Sequence, residues 1–177
     1  MDAIETERLR LERWSKRYLD DYVRVLAAPE TMRYMDAEPF DRMAAEERFA
    51  YYAAHWRQHG YGPRFAIEKA GGRWVGLIGL RDLGPEPLGA DPGDIEIGWI
   101  IAPAAWGNGY ATEGSAAIRD HAFEAVGLDR IVARLATENV ASARVAEKIG
   151  MRLDRQSEDG TWLTYALDRA GWDALVR

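Results

Sequence analysis

Asp94-Ile95-Glu96-Ile97-Gly98-Trp99-Ile100-Ile101, closed by Pro103 and followed by Trp106-Gly107-Asn108-Gly109-Tyr110-Ala111, is the stretch on which the fold turns. Its first eight residues become almost wholly apolar toward their end, the pattern of a central strand covered on both faces. A helix is expected from Gly109 to Val126, with Ala111, Ser115, Ile118, Ala122 and Ala125 on its inner face. Arg130 to Leu135 then reads as a strand, and Asn139 to Ile149 as a short helix stopped by Gly150. Strand, helix, strand, helix is a crossover pattern.

Working outward, Arg8 to Arg13 alternates polar and apolar residues as a half-buried strand does. Ser15 is placed to cap a helix carrying Tyr18, Leu19, Tyr22, Val23 and Leu26, which Pro29 stops. A second helix follows Asp41, with Ala45, Phe49, Tyr52 and Trp56 on one face up to Gly60. Phe65–Glu68 and Trp74–Leu80 flank Ala70-Gly71-Gly72-Arg73, a hairpin turn signal. The stretch 83–93, rich in proline and glycine, is a loop. A last hairpin joins 153–155 to 161–167. The fold class is α/β, an α+β mixed sheet with helices on both faces, in one domain over 1–177.

Composition narrows the chemistry. The 177 residues are 47% hydrophobic and 29% charged, ordinary for a globular chain. With no cysteine there is no disulfide, thiolate metal cluster or cysteine nucleophile, which fits a reducing, cytoplasmic setting. A net charge of −6 disfavours nucleic acid, and a cationic partner is easier to accommodate. No run approaches a membrane span and no leader signal is visible, so a soluble, untargeted protein is expected.

The segment Trp106 to Ala111 joins a buried strand to a helix. Glycines there bring successive N–H groups to an anion, and a helix N-terminus adds unpaired donors, so the implied ligand is a phosphate or pyrophosphate. It lacks the Gly-Lys-Ser/Thr of an ATPase loop, and Thr112 stands where a dinucleotide fingerprint needs its third glycine. Gly98, inside the central strand, suggests a bulge that splays strand 94–101 from strand 130–135. The backbone of Trp99, Ile100 and Ile101 is then open to an amide-bearing ligand arm whose pyrophosphate rests on Gly107 to Ala111, a description that fits coenzyme A. His55 and His59 are four apart but lack the rest of a zinc motif, so no metal is expected.

These residues resemble the GNAT superfamily of N-acetyltransferases, specifically its RimJ/RimL branch, along nearly the whole chain. Thr6-Glu7-Arg8-Leu9-Arg10-Leu11 resembles that branch's opening strand. Glu96-Ile97-Gly98-Trp99 leading to Pro103-Ala104-Ala105-Trp106-Gly107-Asn108-Gly109-Tyr110-Ala111-Thr112-Glu113 resembles its acetyl-CoA motif. Asn139-Val140-Ala141-Ser142 and Glu147-Lys148-Ile149-Gly150-Met151 resemble the second cofactor motif, whose asparagine and serine lie near the pantetheine and thiol. The tyrosine that many members place before the Glu-Lys pair, as an acid toward the departing thiolate, is Ala146 here.

The resemblance implies acetyl-CoA as co-substrate, bound by Trp99, Ile100, Ile101, Trp106, Gly107, Asn108, Gly109, Tyr110, Ala111, Thr112, Asn139 and Ser142, with Arg144 and Lys148 able to meet a CoA phosphate. It implies an amine acceptor, either a small molecule or a peptide N-terminus, and is compatible with a homodimer; no nucleic acid, membrane or metal enters. Without a cysteine to carry the acetyl group, direct transfer in a ternary complex is expected. Glu96 is the candidate base, or else a structural carboxylate paired with an arginine. Ser142 is the candidate acid in place of the missing tyrosine, or else a helix cap. The acceptor is expected past helix 41–59 and a loop bearing Glu86, Asp91 and Asp94. A non-catalytic acyl-CoA-binding regulator on the same fold and an unrelated phosphate-binding module are the competing readings.

Overall fold

The computed structural model describes residues 3–35, 38–84 and 90–177. Eight strands form one sheet in the order β1-β2-β3-β4-β5-β6-β8-β7: β1 (Ala3–Glu5), β2 (Leu9–Glu12), β3 (Pro63–Glu68), β4 (Trp74–Asp82), β5 (Ile95–Ile101), β6 (Arg130–Ala136), β7 (Arg152–Gln156) and β8 (Trp162–Asp168). All neighbours are antiparallel except β5 and β6. The helices are α1 (Leu19–Leu26), α2 (Pro29–Met32), α3 (Arg42–His59), α4 (Tyr110–His121), α5 (Val140–Lys148) and α6 (Arg169–Leu175).

Because side chains alternate across a strand, each face of the sheet builds its own core. Leu9, Val75, Ile78, Leu80, Ile97 and Ile131 meet Ile118 of α4, Ala146 of α5 and Trp172 of α6 on one face. Phe65, Ile67 and Leu77 meet Tyr22 and Leu26 of α1 and Phe49 of α3 on the other. The helix 41–59 turns its expected residues inward: Ala45, Phe49, Tyr52 and Trp56 are buried. Its ends also follow the sequence, with Asp41 Oδ1 accepting from Ala44 N at 2.8 Å and Gly60 closing it at φ 74°.

The feature that matters for the site is where β5 and β6 part. They pair only through Ile95 with Ile131 and Glu96 with Val132. Beyond Glu96, β5 stays with β4 as far as Gly76 opposite Ile101, and β6 stays with β8 as far as Ala136 opposite Trp162. The sheet is therefore splayed between them, as expected. The expected cause is corrected: β4 and β5 keep an unbroken register through Gly79 opposite Gly98, so there is no bulge at Gly98. The opening comes from β6 ceasing to follow β5, and a Cβ on Gly98 would meet nothing within 4 Å.

Other differences are local. After His121 the helix widens into a π turn over Ala122–Val126, whose extra residue rotates the inner face. Phe123 is consequently buried and stacks on Trp172, while Ala125 is exposed. Pro29 ends α1 and also opens the four-residue α2, a position where its missing N–H costs nothing. The short elements β1 and α6 lie outside the sequence reading. Glycine at 114 is set by packing: a Cβ there would lie 2.2 Å from Ile78 Cδ1, so its absence lets α4 approach β4.

Candidate active site

The turn after β5 is shaped by two left-handed residues, Gly107 at φ 77° and Gly109 at φ 79°. A residue with a Cβ pays roughly 1–2 kcal/mol for that conformation, so the glycines fix the path of the chain into α4. Gly109 is the N-cap and offers no side-chain oxygen. The N–H groups of Tyr110, Ala111 and Thr112 at the start of α4 thus have no side-chain cap, and a helix start of this kind attracts an anion.

Surrounding side chains brace this turn. Asn108 Nδ2 donates to the carbonyls of Ala105 and Trp106, each at 3.1 Å. Trp106, half exposed, donates its indole N–H to the Ile101 carbonyl at 2.7 Å. Arg8 reaches across from β2's approach, with Nη1 on the Asn108 carbonyl at 3.0 Å and Nε on Glu113 Oε2 at 2.7 Å. Glu113 also accepts from Thr6 Oγ1 and from the Arg8 N–H. Burial raises its pKa, but these hydrogen bonds outweigh burial and hold the carboxyl below its ordinary value. The opening strand motif and the glycine loop are one braced unit. That link joins residues a hundred positions apart, and no local pattern announces it.

Along the open edge, the expected residues separate into those that face the opening and one that does not. A Cβ on Gly76 would fall 2.2 Å from the Ile100 carbonyl, so that carbonyl points to β4. Backbone groups alternate direction along a strand, so those of Trp99 and Ile101 point to the side that β6 has left. Ile100 is therefore corrected from a ligand-facing residue to one that packs with the α1 and α3 core. The Ile101 carbonyl already accepts from Trp106, which leaves its N–H and the groups of Trp99. Tyr110 likewise contributes only backbone, since its side chain is buried and its hydroxyl donates to Glu68.

Across the opening, the Trp99 indole donates to Ser142 Oγ at 3.2 Å. The cap of α5 is Asn139, whose Oδ1 accepts from Ser142 N at 3.1 Å; the Ser142 hydroxyl is not a cap. An oxygen that accepts from an indole retains its own proton to donate. Ala146 is fully buried in the core, so nothing there replaces a tyrosine. Arg144 and Lys148 are exposed on α5 and form no ion pair among the described residues.

Glu96 sits at the fork, the last residue of β5 that pairs with β6. It faces the α1 and α3 side, directly opposite Arg81 of β4. Arg81 Nη2 donates to Oε2, and Arg134 Nε of β6 donates to Oε1 at 3.0 Å. Both arginines are unsignalled by any sequence motif; the cross-strand register alone brings them in.

Beside Arg81 lies a cleft of about 430 Å³. Ala44, Glu47, Arg48, Tyr51 and Tyr52 line it at the i, i+3, i+4, i+7, i+8 spacing of one face of α3, and Phe40 and Arg81 complete the lining. Tyr52 and Trp56 were expected as core and are buried, whereas Tyr51 is 52% exposed and lines the cleft. Two carboxylates of the acidic loop are paired, Asp91 with Arg155 at 2.8 Å and Asp94 with Arg130 at 3.2 Å, while Glu86 lies outside the described residues. His55 is structural. Its Nε2 accepts from Asp82 N at 3.0 Å, which puts the proton on Nδ1 facing the Tyr61 carbonyl at 3.1 Å, and burial, then His59, lowers its pKa. No group of three metal-binding side chains occurs among the described residues.

The splayed mixed sheet with helices on both faces agrees with the comparisons to known proteins. The Acetyltransferase (GNAT) domain family model matches residues 8–152. The chain belongs to the GNAT acetyltransferases. This GNAT chain is 29% identical to an acetyltransferase of Agrobacterium tumefaciens whose crystal structure superposes with a TM-score of 0.80, covering 96% of this chain and 95% of that one. A spermidine N-acetyltransferase of Vibrio cholerae, solved with CoA and spermine, shares the fold at 17% identity and a TM-score of 0.75 over 93% of this chain and 98% of that one. The uncharacterized N-acetyltransferase YnaD of Bacillus subtilis is 46% identical over 57 residues, 32% of this chain and 34% of the relative.

Proposed function

We propose that this GNAT protein, one acetyltransferase domain over 1–177, moves an acetyl group from acetyl-CoA to a primary amine by direct transfer in a ternary complex. The observation that carries the reading is the uncapped start of α4 at Gly109, set below an unpaired edge of β5 that is open toward Ser142. The residues present fit the cofactor: the N–H groups from Gly107 to Thr112 would hold the pyrophosphate, and the backbone of Trp99 and Ile101, with Asn139 and Ser142, would flank the pantetheine arm.

In this reading the amine approaches along the α3 side, next to Glu96. Glu96, held by Arg81 and Arg134, takes the amine proton through an ordered water that relays it to the carboxylate. A C–N bond then forms at the thioester carbonyl and the C–S bond breaks. The Ser142 hydroxyl supplies the proton to the departing thiolate and regains one from solvent. No nucleophile on the chain need be acylated. A place in the RimJ/RimL branch is supported by the opening motif at Thr6 to Leu11, which the structure uses as a brace for the cofactor loop. No helix among the described residues is long and apolar enough to cross a membrane.

Initial rates of thiol release from acetyl-CoA, varied against an amine acceptor, test this. Intersecting double-reciprocal lines are expected; parallel lines, or CoA binding with no transfer to any amine, would instead support an acyl-enzyme or a regulator.

A further inference from the structure

The cleft on α3 holds a cation that makes no ion pair among the described residues. Arg48 is half-buried, its guanidinium 5.5 Å from the Phe40 ring centre and 5.7 Å from that of Tyr52, and it donates to the Tyr52 hydroxyl at 3.3 Å. No carboxylate lies within ion-pair distance of it among the described residues, although Glu47 lines the same cleft. The other arginines of this region differ: Arg42 pairs with Asp20 and Glu46, and Arg81 and Arg134 share Glu96. A guanidinium oriented by aromatic faces and left with free N–H donors is a ready fork for a carboxylate.

Resting on the acetyltransferase reading, we infer that the acceptor is a small aminocarboxylate, an amino acid or close analogue, whose carboxylate is held by Arg48 while its amine meets the thioester beside Glu96. The cleft of about 430 Å³ suits such a molecule, being near the lower end of the ~300–1,000 Å³ of small-ligand pockets. A polyamine is disfavoured, because its second cation would face Arg48 and Arg81. Asp91 and Asp94 are already matched to Arg155 and Arg130, and in the lining of the cleft itself Glu47 stands against two cations, Arg48 and Arg81. The acidic net charge of the chain is therefore a poor guide to this cleft. A peptide N-terminus brings its amine without a carboxylate at short range and leaves Arg48 unmatched.

The test is a thiol-release screen with acetyl-CoA against the twenty standard amino acids, their carboxamides, spermidine and a tripeptide amide with a free N-terminus. At least one amino acid should exceed its own carboxamide at least tenfold in kcat/KM, and should exceed spermidine and the peptide. Arg48→Ala should remove that preference, bringing the ratio of amino acid to carboxamide close to one, chiefly through KM. Arg48→Lys should keep part of it, since the charge remains and the fork is lost. Thermal melts and CoA calorimetry on both variants separate a folding defect from a binding one. Preference for carboxamide, spermidine or peptide, or an unchanged ratio in Arg48→Ala, overturns the inference. So does CoA binding with no amino acid acetylated, whereas failure to bind CoA at all overturns the acetyltransferase reading itself.

Discussion

The two halves of the candidate site are made in different ways. The proposed cofactor half is backbone: two left-handed glycines, an uncapped helix start and a strand edge that β6 has left unpaired. The proposed acceptor half is side chains: one face of α3 set against Arg81 and, behind it, Glu96 held between two arginines. A backbone site demands glycine at fixed places and so tolerates little change. A side-chain site can be rewritten residue by residue on the same helix and strand, which allows one fold to serve many acceptors.

If the halves are separable, mutations should strike one and spare the other. The largest separable effect is expected from Glu96→Gln, which should lower kcat by roughly 10²–10³-fold, within the usual span of acid–base catalysis, while CoA affinity by calorimetry is kept. The amide also leaves two guanidinium groups facing each other, so a companion double variant with Arg81→Met should recover melting temperature without recovering kcat. Recovery of both would make Glu96 purely structural. Ser142→Ala should lower kcat by about 10²-fold or less and leave acceptor KM in place. A rise in acceptor KM instead would show that the halves overlap there.

Packing gives a smaller test. Gly114→Val should destabilise the fold by about 1–3 kcal/mol in urea titration, because the new side chain meets Ile78. Asn139→Ala removes the cap of α5 and should lose about 1 kcal/mol, with a mild weakening of CoA binding. The smallest effect is a pH dependence. Glu113 titrates lower in the folded chain than in the unfolded one, so its contribution is complete above the ordinary glutamate value near 4.5 and fades as pH falls through the folded value. Glu113→Gln should therefore narrow the gap in melting temperature between pH 7 and pH 3, and an unchanged gap would remove the brace from the account.

The same contrast explains what the sequence makes legible. Strand and helix order and the glycine turn follow from periodicity and from Gly107 and Gly109, because their causes are local. Gly98 misleads: its openness reflects empty space on the acceptor face, whereas the splay depends on where β6 stops following β5, a property of pairing across the sheet. Ile100 is misplaced for the same reason, since which backbone groups face the opening is decided by the register with β4. Ala125 is exchanged for Phe123 by the π turn, one extra residue that no periodic pattern foresees. The partners of Glu96 and Glu113 lie 15 to 107 positions away, and the Arg48 cleft needs α3 and β4 to be brought together. Such contacts exist only after folding.

The central claim is that backbone geometry at the start of α4 holds the cofactor, and calorimetric titration of CoA into Gly109→Val tests it most directly. A valine at φ 79° is strained, so the turn that presents the N–H groups must shift. The account predicts an intact cooperative melt with CoA binding weakened at least 100-fold. Wild-type affinity in a folded Gly109→Val protein would contradict it.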